Sequence, residues 1–156
     1  METVYIETSV ISYLRQQTPQ HVVSAARQLQ TKRWWDEERD KYLLVTSEYT
    51  IEEASAGDAT LAAERLAHLA PLPILQTEDD VRQLADALVD VAGLPMKARV
   101  DAFHIAICVV HEVSYLMTWN CTHIANAKII KDVSAFLTER GLGMPVICTP
   151  DSLLDN

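Results

Sequence analysis

Short apolar runs rich in β-branched residues recur along the chain, at Val4–Ile6, Leu43–Thr46, Leu72–Leu75, Tyr115–Thr118 and Val146–Cys148. Each reads as a strand covered on both faces, because no polar residue alternates with the apolar ones. Helical periodicity fills the intervals. Thr18-Pro19 has the form of an N-cap followed by proline at the first helical position, and predicts a helix running to about Arg39. Asp58 caps a second, with Leu61, Ala62, Leu66 and Leu69 on one face. Thr77 followed by Glu78-Asp79-Asp80 predicts a helix start, since negative charge suits the positive end of a helix. Val81, Leu84, Ala85, Leu88 and Val91 continue it at helical spacing, and Gly93-Leu94-Pro95 stops it. From Asp101 to Val110 the chain is apolar nearly all round, the mark of a helix buried on most sides. Ile129, Val133, Phe136 and Leu137 stripe a last helix that ends by Gly141.

Strands and helices in alternation predict an α/β fold, a central parallel sheet between two helical layers. The pattern does not by itself order the strands. With 156 residues and no linker, repeat or low-complexity segment, the expectation is a single domain spanning 1–156.

Composition adds little to the fold but narrows the function. Hydrophobic residues make up 49% and charged ones 22%, an ordinary globular balance. Three scattered cysteines, Cys108, Cys121 and Cys148, form no CxxC pair, which argues against a disulfide framework or zinc knuckle and fits a reducing cytoplasm. No signal-like start precedes the first strand, and no apolar run approaches the roughly 20 residues of a membrane span, so a membrane location is not expected. The net charge of −9 weighs against sequence-independent nucleic-acid binding through a broad basic surface. It leaves room for a nucleic-acid enzyme whose carboxylates act through metal ions.

Open parallel sheets place their sites beyond the carboxyl ends of the strands. There the sequence carries Glu7, Thr8 and Ser9 after the first strand, Glu52 and Glu53 after the second, and Thr118, Asn120 and His123 after the fourth. Asp101 opens the buried helix that leads into the fourth strand. Taken singly, each has an ordinary structural role. Glu7, Thr8 and Ser9 suit a helix start, one of Glu52 and Glu53 is solvated, and Asn120 and His123 suit a turn. His104, alone on an apolar helix, favours packing over catalysis. Together they place three carboxylates and an amide at one edge of one sheet. Clustered carboxylates repel, and a hard divalent cation such as Mg²⁺ or Mn²⁺ relieves them. Such ions suit phosphodiester hydrolysis.

VYIETSVIS, TSEYTIEEASAGD, VDAFHIAIC and YLMTWNCTHIANA, in that order, resemble the PIN-domain family, and within it the VapC-type toxin ribonucleases of bacterial toxin–antitoxin pairs. The resemblance implies a three-layer α/β/α sandwich and a Mg²⁺- or Mn²⁺-dependent endoribonuclease. It further implies Glu7, Glu53, Asp101 and Asn120 at the family's four acidic positions. Glu53 is preferred to Glu52 because it stands six residues after Ser47, as in similar sequences. Thr8, Glu52, Thr118 and His123 take supporting places. The implied partners are an RNA substrate, a small antitoxin protein and a second copy of the chain in a homodimer.

Two positions depart from the family pattern. Glu7 is one methylene longer than the usual aspartate, and Asn120 is neutral, so its amide oxygen attracts a hard cation less than a carboxylate does. His123 is placed to compensate. These departures motivate an alternative, a catalytically weak or inactive PIN scaffold that binds RNA or protein. A nucleotide-binding α/β domain fits poorly, since the four glycines form neither a GxGxxG nor a GxxxxGK[ST] loop. Adjacent Trp34 and Trp35 point about 100° apart on a helix and are expected to differ in burial, one packing in the core. Lys97, Arg99, Lys128 and Lys131 flank the acidic edge.

Overall fold

The structure, a computed structural model, describes residues 1–155. Five strands form an all-parallel sheet: β1 (Thr3–Ile6), β2 (Leu43–Ser47), β3 (Ile74–Leu75), β4 (Tyr115–Met117) and β5 (Val146–Cys148), in the order β3-β2-β1-β4-β5. Strand β1 is central, with Tyr5 opposite Val45 of β2 on one side and Leu116 of β4 on the other. The helices are α1 (Thr8–Ser12), α2 (Val22–Glu37), α3 (Glu48–Ala54), α4 (Ala59–Leu69), α5 (Asp79–Ala92), α6 (Arg99–Val110) and α7 (Ala127–Glu139).

Side chains alternate across a strand, and the sheet therefore splits the core in two. Tyr5, Val45 and Leu116 face α5, α6 and α7, whose Leu88, Ile107 and Val133 are buried there. Val4, Ile6, Leu44 and Met117 face the other way, onto α1, α2 and α4. The result is the expected α/β/α sandwich. None of the described helices is long and apolar enough to cross a membrane.

Three local expectations need correction. The first long helix begins at Val22 rather than beside Thr18-Pro19. His21 is extended (ψ 130°) and makes no side-chain cap. Buried Gln28 donates from Nε2 to the carbonyls of Arg15 and Gln17, which holds the preceding segment in a turn against α2. Strand β3 keeps only Ile74–Leu75 of the expected run. Pro73 has no N–H to give a ladder, although its carbonyl accepts from Thr46 N. Finally, both Trp34 and Trp35 are buried. Trp34 stacks on Tyr42, while Trp35 meets His68 edge-on beneath the Arg39 guanidinium. A helix with neighbours on two flanks buries adjacent positions, leaving no exposed tryptophan for an interface. The stop at Gly93 is as expected, with a left-handed φ of 63° that suits glycine.

Candidate metal centre

The carboxyl ends of β1, β2 and β4 meet above the sheet, and the chain there supplies anions on three separate tethers. Glu7 follows β1 directly and caps α1, accepting Ser9 N at 3.0 Å. Its other oxygen accepts the hydroxyls of Ser9 and Thr118. The side chain is buried, and the hydroxyl and amide donors around it satisfy both oxygens without an ion pair among the described residues. Ser9 also accepts Trp119 N, and Thr118 accepts Asn120 N, which fastens the ends of β1 and β4 together through one carboxylate.

Glu53 projects from α3, with Thr8 donating to Oε1 at 2.8 Å and His104 Nε2 lying 2.6 Å from the same oxygen. Among the described residues Oε2 has no hydrogen-bond partner. His104 is fully buried on α6. Its Nδ1 lies 2.6 Å from the Tyr5 hydroxyl, which in turn contacts Ser47 at 2.6 Å and Thr50 at 3.2 Å. A continuous polar chain therefore runs from the buried ends of β1 and β2 to a half-exposed carboxylate.

Burial opposes the charge on His104. The Glu53 hydrogen bond and the negative charges of Glu7, Glu53 and Asp101 outweigh that penalty and raise its pKa above the ordinary 6.5. Burial likewise opposes charge on Glu53, but His104 and Thr8 bring it below 4.5. Both shifts favour a Glu53 carboxylate with an imidazolium that donates from both ring nitrogens.

A raised histidine contributes stability below 6.5 that is lost as pH climbs through the higher folded value. A lowered glutamate contributes stability above 4.5 that is lost as pH falls through the lower one. In chelator-treated protein, the Tm difference between wild type and His104→Gln is therefore expected to peak between pH 4.5 and 6.5 and shrink on either side. A melting series from about pH 4 to about pH 9 checks it, and a flat difference would exclude an ionic pair.

Asp101 stands one helical turn before His104 and is held separately. Asn120 Nδ2 donates to Oδ1 at 3.1 Å, and His123 Nδ1 lies 3.0 Å from Oδ2. The Asn120 amide oxygen accepts the backbone N–H groups of Thr122 and His123. Asn120 thus shapes the turn after β4 and steadies Asp101 at the same time.

Of the sequence-derived candidates, Glu7 and Glu53 come together, joined by His104. Ligand atoms of these three residues lie within 4.8 Å of one another. Asp101 lies outside that group but close enough for its charge to act on His104. Thr8 and Thr118 hold the two glutamates, and exposed Glu52 takes no part. Arg99, one of the flanking cations, is bound to Asp86 at 2.7 Å and 3.0 Å, whereas Lys97, Lys128 and Lys131 are exposed. From the sequence, Ser9 reads as part of a helix start, His104 as a packing residue, and Tyr5 as a strand residue with no role in the site. Their signals were a lone histidine in an apolar helix, and hydroxyls at the ends of apolar runs.

The donor set fits a divalent metal ion. Two anchored carboxylates supply hard oxygen ligands, and the free Oε2 of Glu53 is open, while His104 holds the other Glu53 oxygen in place. Tyr5 behind His104 fixes the ring so that Nε2 meets Glu53.

No family model matches the sequence, and no curated protein matches it. Among solved structures, the fold is similar to that of a chain in the crystal structure of VapBC2 from Rickettsia felis bound to a DNA fragment from their promoter. The TM-score is 0.54 at 12% identity, over 94% of this chain and 98% of that one. At that identity the likeness is one of fold, and it places the chain with a VapC-like, PIN-like architecture.

Proposed function

We propose that this protein is a Mg²⁺- or Mn²⁺-dependent endoribonuclease and the toxin of a toxin–antitoxin pair, acting in the cytoplasm. The observation that carries this reading is the approach of Glu7, Glu53 and His104 to within 4.8 Å from three remote segments. The VapBC2 likeness supports the same assignment and motivates the antitoxin partner. Glu7, Glu53 and Asp101 hold the cation. Asn120 and His123 set the Asp101 carboxylate, and Thr8 and Thr118 set the two glutamates. A divalent cation bound there supplies charge neutralisation and Lewis acidity toward the scissile phosphate. The unpartnered Oε2 of Glu53 is the atom of that residue free to meet the cation or to orient an attacking water.

Calorimetry with Mn²⁺ and with Mg²⁺ tests the centre directly. Both ions are expected to bind, and a chelator is expected to abolish RNA cleavage. Cleavage that persists undiminished in chelator would remove the mechanism.

A second reading rests on a different observation: every carboxylate here already has protein donors, and the Asn120 amide oxygen is occupied by two N–H groups. Such a centre can stand without a cation, as a PIN scaffold that binds RNA or protein but cleaves nothing. Absence of Mn²⁺ binding at millimolar concentration would favour it.

A further inference from the structure

Ser9, Ser12, Tyr13, Arg15 and Ser24 line an open pocket of about 370 Å³ that adjoins Glu7 through Ser9. Ser9 forms the shared wall, because its hydroxyl is the one that donates to Glu7. Ser12 is turned back onto the Thr8 carbonyl. The Arg15 guanidinium, the Ser24 hydroxyl and the Tyr13 hydroxyl, by contrast, make no side-chain hydrogen bond among the described residues.

Arg15 places a cation in this pocket, in a chain of net charge −9. Arg33, Arg39, Lys41, Arg82 and Arg99 each lie against a carboxylate, but Arg15 forms no ion pair among the described residues. Glu64 lines the cavity on its other side and accepts the neighbouring Gln16 N–H instead. Arg27 is likewise without an ion pair. It lies one turn after Ser24 on α2, with its guanidinium 5.1 Å from the Trp119 ring, and Tyr13 meets that ring edge-on. Two unpaired arginines, free hydroxyls and an aromatic wall adjoin the carboxylates where a polyanion would have to approach.

We propose that this pocket binds a backbone phosphate of the RNA strand, with Arg15, Ser24 and Tyr13 as its donors and Arg27 at its rim. The proposal rests on the ribonuclease reading and adds a subsite to it. An arginine fork and hydroxyls match phosphate oxygens. A phosphate seated here lies across Ser9 from Glu7, so the strand is anchored on the protein while its neighbouring linkage meets the carboxylates.

Fluorescence anisotropy of a labelled single-stranded RNA of about 12 nucleotides, in chelator so that it stays intact, provides the test. Between about 50 and 200 mM KCl, Arg15→Ala is expected to weaken binding and flatten the slope of log K against log[salt] by about 0.7, the value for one lost phosphate contact. Arg15→Lys restores the slope, and Ser24→Ala weakens binding without changing it. Mn²⁺ affinity is expected to be unchanged in all three variants. Unaltered RNA affinity and slope in Arg15→Ala would overturn the proposal. Polyglutamate competing as well as polyuridylate would also overturn it, in favour of an acidic peptide. Arg15-dependent RNA binding by a protein with no Mn²⁺ affinity would keep the pocket and remove the nuclease. Wild-type protein that binds no RNA removes both.

Discussion

Asp101→Asn is expected to reduce RNA cleavage by about 100-fold or more while leaving the melting temperature nearly unchanged. The replacement keeps the shape of the side chain. Its amide oxygen still accepts Asn120 Nδ2, and its new NH₂ group faces His123 Nδ1, which accepts in the other tautomer. What disappears is one negative charge that acts on His104 at the edge of the Glu7–Glu53 pair. Loss of a single electrostatic contribution in a preorganised site registers on the scale of roughly 10²–10³ in kcat. The rate with a labelled RNA, alongside Mn²⁺ affinity by calorimetry, checks the result. Full activity with full affinity would show that Asp101 belongs to the turn after β4 and not to the centre.

His104→Ala acts on stability instead. It removes a fully buried ring, leaves Glu53 with only Thr8, and strips the Tyr5 hydroxyl of one of its partners. A cavity of that size and the unpaired groups around it cost about 2–4 kcal/mol. For a chain of this length that corresponds to a fall in Tm of roughly 5–15 °C. Tyr5→Phe removes one hydroxyl and is expected to cost about 1–2 kcal/mol, a limited loss because Thr50 has Ile6 O as a second partner. Thermal melts of both variants against wild type decide the matter. A His104→Ala protein as stable as wild type would mean that the chain from Ser47 to Glu53 stores no energy.

The layered fold was legible in the sequence because it depends on local alternation. Val4–Ile6, Leu43–Thr46 and Tyr115–Thr118 lack the polar positions of a half-exposed strand, and the observed sheet is parallel and covered. The strand order was not legible, since it is a matter of which elements pair across long separations. The centre was legible in part for the same reason. Glu7 and Glu53 stood at strand ends and came together. The partner that joins them did not announce itself, for His104 is 51 residues from Glu53 and 99 from Tyr5, and nothing local in VDAFHIAIC identifies either contact. The paired tryptophans show the opposite failure. The helical wheel separates their directions, but only the tertiary arrangement says how many sides of α2 are covered.

The hydrogen bond from Thr118 to Glu7 spans 111 residues, and the pairing of Val4 with Tyr115 closes a loop of nearly the same size. Contacts of such long range form late, after much chain entropy has been given up, and sheets built on them fold slowly. During synthesis, the segment carrying Glu7 leaves the ribosome long before its Thr118 anchor exists. Growing chains therefore carry the carboxylates without the geometry, and the centre comes into being only when translation has passed the fourth strand.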